Sequence, residues 1–154
     1  SIRRGLESAR PVSGRLRPMK GIAGATVYDD SYNANPASVI AAAEFVAARE
    51  GQGWLVLGDM RELGSDAAAL HRAVGEAARD AGISRLFVTG ALSRNTADAF
   101  GERAQWFENV DELVRELKRN LSPEVTVLVK GSRSTHMERV VHALQDDSVQ
   151  GRGA

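Results

Sequence analysis

Short runs of consecutive apolar residues alternate along the chain with segments whose apolar residues recur at helical spacing. The runs have the length and the β-branched and aromatic content that are typical of strands. They predict five strands: Ala25–Tyr28, Trp54–Leu57, Leu86–Thr89, Gln105–Phe107 and Val125–Val129. Because most of these runs are continuously apolar, we expect parallel strands that are covered by helices on both faces.

Between the strands, apolar residues repeat at intervals of three and four, which indicates amphipathic helices. Pro36 suits the first turn of one helix, and Gly82 suits the C-terminal cap of the next. The helical segments are Val39–Ala47, Leu70–Ala81, Val110–Leu121 and Met137–Leu144, with residues 92–100 as a further candidate. Ahead of the first parallel strand, "GRLRPMKGIAGATVYDD" predicts a hairpin with an antiparallel edge strand around Leu16.

The alternation of strands and helices predicts βαβ units with right-handed crossovers. The expected fold is therefore α/β: a three-layer, Rossmann-like sandwich around a mostly parallel sheet of about six strands, with one antiparallel edge strand. We expect one domain over residues 1–146. The polar residues 147–154 are expected to form a disordered tail.

Composition narrows the possible partners. Twenty Lys and Arg residues balance 20 Asp and Glu residues, so no net charge favours nucleic acid or an anionic membrane surface. The sequence has no cysteine, which excludes disulfides and thiol chemistry. No apolar run approaches the roughly 20 residues that span a bilayer. We therefore expect a cytoplasmic protein without a nucleic-acid or membrane partner.

Polar residues collect where the predicted strands end. In an open α/β sheet, ligands bind beyond the carboxyl ends of the strands. The first strand is followed by Asp29, Asp30, Ser31, Tyr32, Asn33 and Asn35, and the second by Asp59, Arg61 and Glu62. The third is followed by Gly90, Ser93, Arg94 and Asn95, and the last by Lys130, Gly131, Ser132, Arg133 and Ser134.

Each of these residues also has a purely structural interpretation. Asp29 and Asp30 can form a turn, and a serine after the last strand can cap the following helix. Asp59 is poorly placed to cap a helix that begins near Ser65, because five residues intervene. The convergence on one edge favours a binding site. We expect Asp30 to be a loop residue that the fold does not require.

Several common motifs are absent from the sequence. It contains neither a G-x-x-x-x-G-K-[ST] phosphate loop nor a G-x-G-x-x-G turn. His71, His136 and His142 lack H-E-x-x-H spacing and are expected at the surface or its boundary. Trp54 and Trp106 lie within predicted strands and are expected in the core.

Four motifs resemble the C-terminal domain of the Mur ligases. They are "GRL" at 14–16, "DDSYNANPAS" at 29–38, "LVLGDMRELG" at 55–64 and "VKGSRSTHMERVV" at 129–141. The likeness covers nearly the whole chain, and "SYNANP" with "LGDMxELG" is typical of one branch of the family. The sequence departs from the pattern at Thr135 and His136.

The resemblance implies an ATP-dependent amide ligase of the bacterial cytoplasm. In this branch, ATP phosphorylates the carboxylate of UDP-N-acetylmuramoyl-tripeptide, and the amine of D-alanyl-D-alanine attacks the acyl phosphate. ATP and Mg²⁺ are bound mainly by a central domain that carries the phosphate loop. The resemblance therefore implies that this chain is a monomeric part of a longer enzyme and is inactive alone.

The resemblance also implies roles for particular residues. It places Arg15, Asp30, Tyr32 and Asp59 on the nucleotide side of the cleft. It places Asn33, Asn35, Lys130, Ser132 and Arg133 beside the other substrates. It implies no catalytic side chain and no metal ligand within this chain.

A phosphoacceptor receiver module is the alternative from a different class. Such domains place an acid pair after strand one, a phosphorylated Asp after strand three and a Lys after strand five. Asp30, Asp59 and Lys130 have the right order. However, only one helix separates Asp30 from Asp59, where a receiver has two crossovers. A stand-alone dinucleotide-binding domain is disfavoured because the glycine fingerprint is absent.

Overall fold

The computed structural model of the chain describes residues 17–31, 34–131 and 135–145. The strands are β1 (Pro18–Lys20), β2 (Thr26–Asp30), β3 (Gln52–Leu57), β4 (Arg85–Thr89), β5 (Ala104–Phe107) and β6 (Val125–Lys130). The α-helices are α1 (Pro36–Ala47), α2 (Ala67–Ala81), α3 (Ser93–Phe100), α4 (Val110–Asn120) and α5 (Glu138–Leu144). Short 3₁₀ turns span Ile22–Gly24 and Gly64–Asp66.

The six strands form one sheet in the order β1-β2-β6-β3-β4-β5. The β1–β2 pair is antiparallel and the other four pairs are parallel. The predicted α/β sheet, mostly parallel with one antiparallel edge strand, is therefore confirmed. Leu16, where that edge strand was expected, lies outside the described residues, and β1 begins at Pro18.

Helices cover both faces of the sheet, which explains the continuously apolar strands. Successive side chains of a strand point to opposite faces. Leu55 and Leu57 therefore join a core cluster with residues of α1 and α2. Trp54 and Val56, their neighbours in the chain, join a second cluster with residues of α4 and α5.

Strands β2 and β6 run further than their apolar residues predicted. β2 ends at Asp30 and β6 at Lys130, and these two residues are paired in register. Backbone pairing can continue through polar residues because the ladder bonds do not depend on side-chain type. The extra residues place a carboxylate and an ammonium group side by side.

The expected helix ends are confirmed. Pro36 occupies the first turn of α1, and Gly82 caps α2 in the left-handed conformation with φ 99°. The further helix candidate at residues 92–100 is α3. None of the described helices is long and apolar enough to cross a membrane.

The expectation that His71 lies near the surface is wrong. His71 is fully buried, and its Nε2 lies 3.1 Å from the amide nitrogen of Met60. Because that amide can only donate, Nε2 must accept, and the proton must sit on Nδ1. Nδ1 then donates to the carbonyl of Ala67 at 2.8 Å. The imidazole thus connects α2 to the loop after β3, while His136 and His142 are exposed, as expected.

The two tryptophans differ in burial. Trp54 is 2% exposed and lies in the core, as expected. Trp106 packs against the core but is only partly buried, because β5 is an edge strand. The indole N–H of Trp106 donates to Gly90 O at 2.8 Å, and the guanidinium of Arg94 lies 3.7 Å from the ring centroid.

Candidate functional site

The candidate site lies at the carboxyl ends of the parallel strands. The adjacent strands β2 and β6 are followed by helices that pack on opposite faces of the sheet. In α/β sheets, such a point opens a crevice in which ligands bind. Asp30 and Lys130 occupy the last register position of this strand pair.

Asp30 and Lys130 form an ion pair in which the lysine is buried and the aspartate is partly buried. Lys130 Nζ lies 2.7 Å from Asp30 Oδ2, and the side chains are 3% and 12% exposed. A buried charge that loses its partner is strongly destabilising. The expectation that Asp30 is a loop residue is therefore wrong, since Asp30 ends β2, and its pairing with a buried ammonium group favours a structural role.

Asp29 has a different role from its neighbour. Its Oδ1 accepts hydrogen bonds from the amide of Ser31 at 2.9 Å and from the Ser31 hydroxyl at 2.6 Å. Aspartate commonly stabilises turns in this way. The turn-forming interpretation therefore holds for Asp29, whereas Asp30 is directed to Lys130.

Asn35 caps α1. Its Oδ1 accepts a hydrogen bond from the backbone amide of Ser38 at 2.9 Å, and Ser38 Oγ accepts one from the backbone amide of Asn35 at 3.0 Å. This reciprocal capping box fixes the start of the helix that follows the polar turn. The exposed amide of Asn35 thus has a structural function at the rim of the site.

Asp59 caps α3, a helix that begins 34 residues later in the chain. Its Oδ1 accepts from the amide and hydroxyl of Ser93 at 2.8 and 2.7 Å, and Oδ2 accepts from the Leu92 amide at 3.1 Å. A carboxylate is favourable there because the N-terminus of a helix carries partial positive charge.

Gly90 allows Asp59 to approach α3 closely. Gly90 has φ +112°, and a Cβ atom at this position would lie 2.3 Å from Asp59 Oδ1. Only glycine fits both the backbone conformation and the space. Both residues are recognisable in the sequence as polar or flexible positions after a strand, but their contact is not, because they follow different strands.

Gly131, the residue directly after β6, is closely packed. A Cβ atom on Gly131 would lie 2.3 Å from Met137 Cγ, and one on Gly58 would lie 2.9 Å from the same atom. The buried Met137 therefore holds the ends of β3 and β6 together. Gly58 and Met137 are not among the residues predicted for the site, although a glycine directly after β3 and after β6 is visible in the sequence.

The structure brings only some of the predicted residues together. Asp30 and Lys130 meet directly, whereas Asn35 and Asp59 are each engaged in capping a helix. Arg94 stacks on Trp106 near the far edge of the sheet. Five predicted residues lie outside the described ranges: Arg15, Tyr32, Asn33, Ser132 and Arg133.

No metal centre is formed by the part of the chain that the structure describes. Within residues 17–31, 34–131 and 135–145, no three His, Asp or Glu side chains gather closely enough to hold a metal ion. The described part of the site instead contains the Asp30 carboxylate, the buried Lys130 ammonium and the capped N-termini of α1 and α3.

The mostly parallel sheet, covered by helices on both faces, makes the chain an α/β domain, a class in which ligands bind at the switch point of the sheet. Comparison with known protein families identifies the family to which this α/β domain belongs. The model of the family described as "Mur ligase, glutamate ligase domain" matches residues 14–133. The chain belongs to the Mur ligase family.

Named relatives of the chain share one name within this family. The chain is 42% identical over 151 residues to UDP-N-acetylmuramoyl-tripeptide–D-alanyl-D-alanine ligase of Escherichia coli (strain K12), covering 96% of this chain and 33% of that protein. It is 31% identical over 148 residues to the ligase of the same name from Bacillus subtilis (strain 168), covering 92% and 32%. The chain thus spans about a third of the length of these relatives.

Solved structures share the fold. MurF from Acinetobacter baumannii (crystal structure I) is similar with a TM-score of 0.76 and 29% identity, over 89% of this chain and 31% of that one. MurF ligase from Thermotoga maritima in complex with ADP gives a TM-score of 0.75 over 88% and 31%. Its identity of 23% makes it a likeness of fold alone.

The alternative of a receiver-type signalling module is not supported. The matching family and the relatives named above are ligases. Asp59, the residue that a receiver would phosphorylate, has both carboxylate oxygens bound to the start of α3.

Proposed function

We propose that this chain is the C-terminal domain of an ATP-dependent amide ligase that adds D-alanyl-D-alanine to UDP-N-acetylmuramoyl-tripeptide. The observation that carries the proposal is the 42% identity, over 96% of the chain, with the E. coli ligase of that name. The reaction would proceed through an acyl phosphate in the bacterial cytoplasm. It would serve peptidoglycan synthesis and thereby cell-wall biogenesis, cell shape and division.

The charges at the site support the proposal that this domain and a central domain would bind different parts of the nucleotide. Asp30 presents a carboxylate, which accepts hydrogen bonds from hydroxyl and amino groups but repels phosphate. Lys130 has its ammonium bound to Asp30 and is 2% exposed, so it offers little charge to a phosphate. The described residues therefore fit the hydroxyl or amino groups of a nucleotide, and the triphosphate with Mg²⁺ would be held mainly by a central domain.

The remaining residues extend this proposal. On the nucleotide side, Arg15 and Tyr32 would contact ATP together with Asp30. Asn33, Ser132 and Arg133 would contact the peptide substrates. Asp59 and Asn35 would act by fixing the helices that frame the site, since both side chains cap helices.

The site would be completed by domain closure. A site at the carboxyl ends of the strands of an isolated domain leaves its ligands exposed to water. Closure against a second domain excludes water and strengthens hydrogen bonds to charged groups. The domain would act as a monomer whose partner surface belongs to the same polypeptide.

The test compares the longer protein that carries residues 1–154 at its C-terminus with the 154-residue chain alone. We expect ADP release by the longer protein only when both UDP-N-acetylmuramoyl-tripeptide and D-alanyl-D-alanine are present. The chain alone should show no turnover, because the sequence lacks a phosphate loop.

Two results would contradict the proposal in different ways. Ligation of a different amino component by the longer protein would show that the substrate is wrongly assigned. Turnover by the 154-residue chain alone would show that it is not a partial enzyme.

A further inference from the structure

We infer that Lys130 is a positioning residue that acts through Asp30 and does not contact D-alanyl-D-alanine. The inference deepens the proposed function, because it takes Asp30 as the group that faces the nucleotide. It rests on the burial of the two side chains and on the backbone that holds them.

The exposure of the pair is asymmetric. The Lys130 side chain is 3% exposed and that of Asp30 is 12% exposed, while Nζ lies 2.7 Å from Oδ2. A ligand in the crevice can therefore reach the carboxylate, whereas the ammonium lies behind it. Moving the ammonium towards a ligand would leave Asp30 without its counter-charge, which is costly in a partly dehydrated site.

The backbone fixes Lys130 before any ligand binds. Strand β6 lies between β2 and β3, and Lys130 is in register with Asp30 on one side and Leu57 on the other. Its carbonyl also accepts a hydrogen bond from the amide of Gly58 at 3.1 Å. Lys130 is thus held between two neighbouring strands at the carboxyl end of β6.

The neighbouring acid does not compete for the ammonium. Asp29 Oδ1 is bound to the amide and hydroxyl of Ser31. Among the described residues, Asp30 is the one acid that forms an ion pair with Lys130. The ammonium therefore restricts a single carboxylate to one orientation, and a preorganised acceptor loses less conformational entropy when it binds a ligand.

A double-mutant cycle in the longer ligase tests the inference. Lys130→Met removes the charge and keeps an unbranched side chain, Asp30→Asn removes the acid, and the third variant carries both changes. We expect each single change to raise the KM for ATP about tenfold, with the KM for D-alanyl-D-alanine unchanged. Because Lys130 acts through Asp30, the double variant should be no worse than the poorer single variant.

Three comparisons separate positioning from general damage. Lys130→Arg keeps a positive charge and should recover part of the affinity for ATP. Lys118→Met makes the same substitution at an exposed site on α4 and should leave both KM values unchanged. Thermal melts of the 154-residue variants should show that Asp30→Asn destabilises the wild type more than it destabilises Lys130→Met.

Each contrary result is specific. A rise in the KM for D-alanyl-D-alanine would show direct contact with that substrate, and single effects that multiply in the double variant would show that Lys130 acts independently of Asp30. Either result would overturn the inference. Additive losses in the melts would overturn the coupling of the pair, and this measurement does not depend on the reaction. A wild-type longer protein that does not ligate D-alanyl-D-alanine would instead refute the proposed function.

Discussion

Removal of the Asp59 carboxylate tests whether this residue is a structural cap or a nucleotide contact. The carboxylate accepts three hydrogen bonds of 2.7–3.1 Å from Leu92 and Ser93. Two of the donors are the backbone amides of Leu92, the N-cap residue of α3, and of Ser93, its first residue, and neither amide has a partner within the helix. Asp59→Ala would remove all three of these bonds, and the Ser93 amide would keep only its bond to the carbonyl of Gly90 at 3.2 Å.

The expected loss of stability follows from these contacts. An N-terminal cap contributes about 0.5–2 kcal/mol, and a favourable charge at a helix N-terminus about 0.3–1 kcal/mol. The Ser93 hydroxyl is a further loss, because Ser93 is fully buried. Since one carboxylate supplies all these interactions, they do not simply add, and we expect a loss of about 2–3 kcal/mol. For a domain of this size, that lowers Tm by roughly 5–10 °C.

The assay is a thermal melt of the 154-residue chain, with Asp66→Ala as the matched control. Asp66 occupies the N-cap position of α2, but its side chain makes no capping hydrogen bond and is exposed. Its removal should change stability by less than about 0.5 kcal/mol. If Asp59→Ala melts like the wild type but raises the KM for ATP in the longer ligase, the capping argument is refuted and Asp59 contacts the nucleotide.

Two further substitutions test the contacts that frame the site. His71→Phe should lower the free energy of unfolding by about 1–3 kcal/mol and speed hydrogen exchange of the Met60 amide, because that buried donor loses its acceptor. The control is His142→Phe at an exposed position, and unchanged exchange at Met60 would show that the bond is unimportant. Asn35→Ala should cost about 1 kcal/mol in a denaturant titration, whereas Asn35→Asp should retain the stability because aspartate caps equally well; equal losses in both variants would contradict the capping role.

The sequence by itself determined the elements and the edge of the sheet at which the site lies. Apolar runs bounded by polar turns predicted β2, β3, β4, β5 and β6, and helical spacing predicted the helices between them. These patterns can be read locally, because side chains alternate every two residues in a strand and repeat every 3.6 residues in a helix. That polar residues gather at the carboxyl ends of the strands likewise follows from the chain alone, as Asp30, Asp59 and Lys130 illustrate, although Asp30 and Lys130 prove to be the last residues of their strands.

Only the tertiary structure decided what each of those polar residues does. Asp29 and Asp30 are adjacent and chemically identical, yet one stabilises a turn and the other meets a lysine 100 residues away. Asp59 finds its partners 33 and 34 residues later, and His71 is buried because the loop after β3 folds onto it. The Asp30–Lys130 contact depends on the placement of β6 beside β2, and the contact between Asp59 and Ser93 depends on the pairing of β3 with β4. No local period encodes either pairing, since each arises from the packing of the whole sheet.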